Sequence, residues 1–214
     1  MPPPTPTRLE IWADIVCSWC YVGKRHLGAA LASLGEDDVE IVWRSFELDP
    51  TLPADAGPAD EELARRRGLT LAEARAMHEE TERMGAEIGI RFDFARARRG
   101  NTFDAHRVLH MARAEGRQAA VLDRLLAGYF AEGEPIGDRD ALARIGAGGG
   151  LDGEAVSAML ASDAYAADVR ADEREAAALG ITAVPFFVID RRYGLAGAHP
   201  PDTIREAIAQ AKLG

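Results

Sequence analysis

The alternation of apolar and polar residues changes period along the chain. From Arg8 to Asp14, Leu9, Ile11 and Ala13 alternate with Arg8, Glu10 and Asp14, and Ile15 and Val16 then add β-branched bulk. That pattern predicts a strand running into a turn. From Tyr21 to Leu34 the apolar positions Leu27, Ala30, Leu31 and Leu34 fall three or four apart and stop at Gly35, which predicts a helix with a glycine end. Val39 to Leu48 turns β-like again, with Val39, Ile41, Trp43 and Phe46 bulky and partly alternating. Strand, helix and strand in that order predict a βαβ unit with its strands parallel.

The end of the chain has a different order. Ala183 to Asp190 is an apolar strand entered through Pro185, Arg191 to Gly197 predicts a hairpin turn with a short partner strand, and Pro200-Pro201 opens a final helix over Asp202–Lys212. Between the halves no strand pattern is present. Ala59–Gly68, Leu71–Ile88, Thr102–Glu115, Gln118–Ala131, Arg139–Ile145, Gly153–Leu160 and Tyr165–Leu179 all carry helical spacing and are broken by glycines and one proline. The expected class is α/β. A βαβ–ββα frame, residues 1–58 and 180–214, is interrupted by an inserted helical domain over 59–179.

Composition narrows the function. A formal net charge of -10 with 28% charged residues disfavours nucleic acid and anionic membrane as partners. No apolar run reaches the ~20 residues a membrane span needs. The proline-rich start, Met1 to Thr7, lacks the charged and apolar regions of a secretory signal. The expected location is therefore the cytoplasm. The chain has 2 cysteines, Cys17 and Cys20, too few for a disulfide framework. Residues three apart on a helical turn can form one disulfide and open it again with little movement.

Cys17 follows the first predicted strand and opens the first helix. Its sulfur would face unpaired backbone N–H groups and the positive end of the helix dipole, both of which lower a thiol pKa. Cys17 thus reads as the reactive thiolate and Cys20, one turn deeper, as the resolving thiol. The competing reading is two inert core cysteines. Zinc would need further ligands, and His26, His78, His106, His110 and His199 are too scattered to complete a site.

Asp14-Ile15-Val16-Cys17-Ser18-Trp19-Cys20-Tyr21-Val22-Gly23-Lys24 resembles the active-site turn of DsbA-like thioredoxin-fold oxidoreductases, in particular the FrnE-type subgroup. Val184-Pro185-Phe186-Phe187-Val188 resembles that superfamily's cis-proline loop. Asn101 to Arg107 and Gly197 to Pro201 resemble its helical-domain motif and its turn into the last helix. The resemblance implies a thioredoxin fold with a large all-helical insertion and thiol–disulfide exchange. It also implies a cis Pro185 facing the cysteine pair, with the Val184 backbone free to pair with an extended substrate. Read alone, Pro185 is favoured as a simple strand-entry proline; the cysteine turn tips the reading towards cis.

Two departures stand out. Ser18-Trp19 replaces the subgroup's common Pro-Trp, and Ser18 could donate to the Cys17 sulfur. Ile11 occupies the place of the buried acid some thioredoxins carry. Asp14 or Glu10 is then the nearest proton acceptor, with surface charge the favoured reading for Glu10. Trp19 and Trp12 could rim a substrate groove, Trp12 being read as core. Asn101 and His106 would face the cysteines under a closed helical lid; the alternatives are a helix cap and a packed core histidine.

Two other function classes compete. Glutathione-dependent relatives, the kappa-type transferases and 2-hydroxychromene-2-carboxylate isomerases, resemble this chain in the insertion but typically have serine at the first cysteine position. A non-catalytic peptide-binding module is the third class. The expected substrate is a protein or small-molecule thiol or disulfide. No metal or required cofactor is expected, glutathione is a candidate co-substrate, and a homodimer is compatible with the sequence.

Overall fold

The computed structural model describes residues 6–32 and 39–213. The predicted end of the first helix at Leu34 and Gly35 lies outside these residues. The chain divides into two compact units, Met1–Phe46 with Asp172–Gly214, and Glu47–Ala171.

In the first unit, β1 (Thr7–Ala13), α1 (Ser18–Ala32) and β2 (Val39–Ser45) follow one another, and β1 and β2 pair in parallel. β5 (Phe186–Ile189) runs antiparallel to β1, and β6 (Tyr193–Ala196) antiparallel to β5, which gives the sheet order β2-β1-β5-β6. Leu9 lies opposite Ile41 and Ile189, and Ile11 opposite Trp43 and Phe187. The closing helix α9 (Pro201–Leu213) packs on β1 and on α1. Trp12 points the other way. It is fully buried with Ala176, Ile181 and Val188, and Val184, Phe186 and Phe46 pack around it.

Both faces of β1 are therefore covered, and this corrects the reading of Glu10. The alternation along Arg8–Asp14 predicts one wet face, yet Glu10 is 1% exposed. Arg44 donates from Nε to its Oε1 at 2.9 Å, and Arg191 donates from its terminal nitrogen to the same oxygen at 2.9 Å. Arg44 also reaches Asp172 Oδ1 at 2.7 Å, while Asp172 Oδ2 accepts from the Ser45 N–H at 2.9 Å. A buried charge persists when it is paired and hydrogen-bonded. This network ties β1, β2, the turn after β5 and the second half of α8 (Ala166–Ala178).

The second unit carries α2 (Ala59–Arg67), α3 (Leu71–Glu87), α4 (Phe103–Ala114), α5 (Gln118–Ala127), α6 (Arg139–Gly148) and α7 (Gly153–Leu160), with a π turn over Gly128–Glu132. Three of these helices start on side-chain caps. Thr70 and Glu73 form a capping box before α3, and the Asp138 and Asp152 side chains accept the first N–H groups of α6 and α7. Phe92, Phe94, Tyr129 and Phe130 form an aromatic cluster with ring centroids 4.7–5.7 Å apart. Arg107, also buried, donates to the carbonyls of Met159 and Ala164 at 2.8 and 2.9 Å and to Asp104 at 2.7 Å.

This unit is not free of strands. β3 (Gly57–Pro58) and β4 (Arg98–Arg99) form a two-residue antiparallel pair. Such short pieces carry no period for a sequence to show.

Candidate active site

β1 ends at Ala13, and the chain turns through Asp14-Ile15-Val16 before α1 begins at Ser18. Cys17 sits at the junction. Its own N–H bonds the Asp14 carbonyl at 3.2 Å, and its carbonyl accepts from Cys20 N–H at 3.0 Å and Tyr21 N–H at 3.2 Å. It thus occupies the N-cap place, where the first helical N–H groups have no backbone partner.

Both cysteines are free thiols and both are buried, Cys17 at 8% and Cys20 at 2% exposure. The Cys20 N–H points at the Cys17 sulfur, 3.3 Å away. Hydrogen bonds from the Cys20 thiol, and from the backbone of Cys20 and Trp19, hold the Cys17 thiol below its ordinary pKa, against burial and the charge of Asp14. Burial, together with the proton that Cys20 lends to Cys17, pushes the Cys20 thiol well up. The pair is therefore split into one thiol prepared to ionise and one held protonated. Among the described residues the donors to the Cys17 sulfur do not include the Ser18 hydroxyl, so that sequence expectation is not met.

The segment before β5 supplies the facing wall. The Val184–Pro185 peptide bond is cis, Pro185 is buried, and Val184 is half-buried. The Cys17 thiol donates to the Val184 carbonyl at 3.6 Å. Cys17, Cys20, Val184 and Pro185 thus meet at one place. Asp14, 2% exposed, borders it, and its charge acts on both sulfurs. Surface charge is excluded for Asp14 as for Glu10.

The tryptophans divide. Trp19 is 52% exposed beside Cys20, whereas Trp12 lies in the core and donates from Nε1 to the Asp172 carbonyl at 3.0 Å. Trp12 is no part of a groove rim.

Asn101 and His106 belong to the helical unit. The Asn101 Oδ1 accepts from the Phe103 N–H at 2.9 Å at the start of α4, and its Nδ2 donates to the Pro50 carbonyl at 3.3 Å. His106 is 1% exposed on α4. Among the described residues no three His, Cys, Asp or Glu side chains gather as metal ligands would. No helix among them is long and apolar enough to cross a membrane.

Sequence reasoning missed the close seat of Pro185 on α1. A Cβ built on Gly23 would stand 3.0 Å from Pro185 Cγ. Only the bare glycine in the helix hinted at it.

A four-stranded mixed sheet, a Cys-x-x-Cys pair at a strand-to-helix turn and a facing cis-proline define a thioredoxin-type redox protein. Residues 8–209 match the model of the DSBA-like thioredoxin domain. The chain belongs to that family, and it is a thiol–disulfide oxidoreductase. A solved probable DsbA oxidoreductase from Streptomyces coelicolor is 44% identical with a TM-score of 0.91, over 96% of this chain and 90% of that one. The uncharacterized protein YwbO of Bacillus subtilis is 27% identical over 203 residues, 94% of this chain and 95% of its own. The cytosolic disulfide reductase DsbM of Pseudomonas aeruginosa is similar in fold, at 20% identity and a TM-score of 0.66, over 97% of this chain and all of that one, and it has also been solved with GSH.

Proposed function

We propose that Cys17 is the attacking thiol and Cys20 the resolving thiol of an exchange cycle in the cytoplasm, of the FrnE type. The observation that carries this reading is the geometry of the pair: Cys17 caps the start of α1 with the Cys20 N–H 3.3 Å from its sulfur, and Cys20 lies buried one turn further in. The Cys17 thiolate attacks one sulfur of a substrate disulfide. A Cys17–substrate disulfide forms and one substrate thiolate leaves. Cys20 then gives up its proton and attacks the Cys17 sulfur, which closes the Cys17–Cys20 disulfide and releases the second substrate thiol. The substrate gains two electrons and the protein loses two; the reverse sequence oxidises a dithiol. Asp14 is the buried carboxylate placed to take the Cys20 proton. The Val184 carbonyl is placed to accept an N–H from a substrate strand lying against the sulfur, and Trp19 to pack on its side chains.

Glutathione is the co-substrate we assign to the recycling step, a reading supported by the GSH-bound neighbour. A glutathione-dependent isomerase would carry the reactive sulfur on glutathione. Here the protein itself presents one at the helix start, which favours exchange.

The test is equilibration in glutathione buffers of graded ratio, with Cys17–Cys20 oxidation read by mass after alkylation. A single two-electron transition is expected. Cys20→Ser should accumulate a mixed disulfide on Cys17, and Cys17→Ser should fall to the uncatalysed rate. Thiols that never pair at any ratio would sink the reading.

A further inference from the structure

Glycine weakens a helix interior relative to alanine, so a glycine inside α1 calls for a packing reason. Gly28 has none, since a methyl group there would meet nothing within 4 Å. Gly23 has one. A methyl there would stand 3.0 Å from Pro185 Cγ and 3.4 Å from Phe187 Cζ, closer than packed side chains normally come, so one neighbour would have to retreat by a few tenths of an ångström. A second tie reaches the same segment indirectly, through residues 197–199. The Gly197 N–H donates to the Pro185 carbonyl at 2.8 Å, and the His26 Nδ1 on α1 donates to the His199 carbonyl at 2.8 Å.

We propose that Gly23 is a positioning residue for the exchange reaction: by presenting no side chain to Pro185, it seats that segment on α1 and brings the Val184 carbonyl to 3.6 Å from the Cys17 sulfur. This rests on Cys17 being the attacking thiol. The consequence is a brake on ionisation. A carbonyl oxygen facing the sulfur accepts the S–H bond in the thiol form and repels the negative charge of the thiolate form, so both effects favour the thiol. Of the other groups facing Cys17, Asp14 and Cys20 come from the turn and from α1, and residues 184–186 bring no titratable side chain. Moving the carbonyl back therefore releases the thiolate. The enzyme trades some reactivity of Cys17 for a backbone acceptor close enough to align the substrate strand.

The test is the pH profile of Cys17 alkylation in the reduced protein, read by mass on the Cys17 peptide, for the parent, Gly23→Ala and Gly28→Ala. Gly23→Ala should lower the midpoint, so that alkylation below it is about two- to fivefold faster, the worth of one weak hydrogen bond. Gly28→Ala should keep the parent profile. His26→Ala, which loosens the seat without a clash, should move the midpoint in the same direction and serves if Gly23→Ala does not fold. A merely structural glycine would change the unfolding midpoint and leave the titration in place. A folded Gly23→Ala with the parent midpoint overturns the inference, as does a folded His26→Ala with the parent midpoint where Gly23→Ala does not fold. An ordinary thiol midpoint in the parent protein instead sinks the exchange reading itself.

Discussion

Replacing Glu10 with glutamine tests whether the buried ion network holds the sheet together. The change keeps the shape of the side chain and removes its charge. Arg44, with a side chain 13% exposed, loses its Glu10 partner but keeps Asp172 at 2.7 Å. Losing one member of a buried pair costs about 3–5 kcal/mol when the remaining charge has no other partner, and the surviving Asp172 contact reduces this to about 2 kcal/mol. Arg191, 54% exposed, can turn to water, so its share is that of a surface pair, about 0.2–1 kcal/mol. The sum is about 2–3 kcal/mol, equivalent to a thermal midpoint lower by roughly 4–12 °C for a chain of this size. Urea unfolding followed by the fluorescence of buried Trp12 and Trp43 measures it. Glu40→Gln is the control, because Glu40 is half exposed and, among the described residues, its ion-pair partner is Arg8 at 3.9 Å. Acidity adds a second condition. Burial alone would raise the Glu10 carboxyl, but Arg191 and Arg44 outweigh it and hold it below the ordinary value of 4.5. The stability from Glu10 is therefore fully present above about pH 4.5 and is lost as pH falls through the lower folded value. The gap between the parent and Glu10→Gln should close on that side. A Glu10→Gln cost as small as that of Glu40→Gln would refute the argument.

Two further outcomes follow from the same structure. Arg107→Ala should cost the helical unit about 3 kcal/mol, because it takes the guanidinium donor from the buried Met159 carbonyl and from the Ala164 carbonyl and leaves a void where the buried side chain packed; Arg107→Lys, which reaches fewer acceptors, should recover only part of it in the same urea titration. The reduced protein should gain stability over Cys17→Ser as pH rises through the depressed folded value of Cys17 towards the ordinary thiol range, and lose that gain on acidification. A constant difference between the two across that window would remove the thiolate from the folded state.

What the sequence made legible and what it hid follow from the range of the interactions. The period from Tyr21 onward, the glycine breaks of the middle region and the apolar run Phe186–Ile189 are local, and among the described residues α1, the helices of the middle region and β5 fall where those patterns put them. The place of Cys17 between a strand and a helix is local too, and the same geometry sets the direction of its ionisation. Glu10 was hidden because alternation reports side-chain direction and says nothing about what covers each face. Its partner Arg191 lies 181 residues away along the chain, and Asp172, which shares Arg44 with it, is also distant in sequence. The Gly23–Pro185 contact was hidden for the same reason, since a missing side chain has no pattern. The two cases differ in consequence. Glu10 is satisfied by charge partners from two other segments, Arg44 on β2 and Arg191 after β5, and acts on the stability of the sheet. Gly23 acts on a single distance, between a carbonyl and a sulfur, so its effect belongs to the chemistry of Cys17. On the proposal above, the long-range fit of α1 against residues 184–186 tunes a reactivity that the Cys17–Cys20 motif itself supplies. A change at Gly23 could retune the thiol while every residue between the cysteines stays the same.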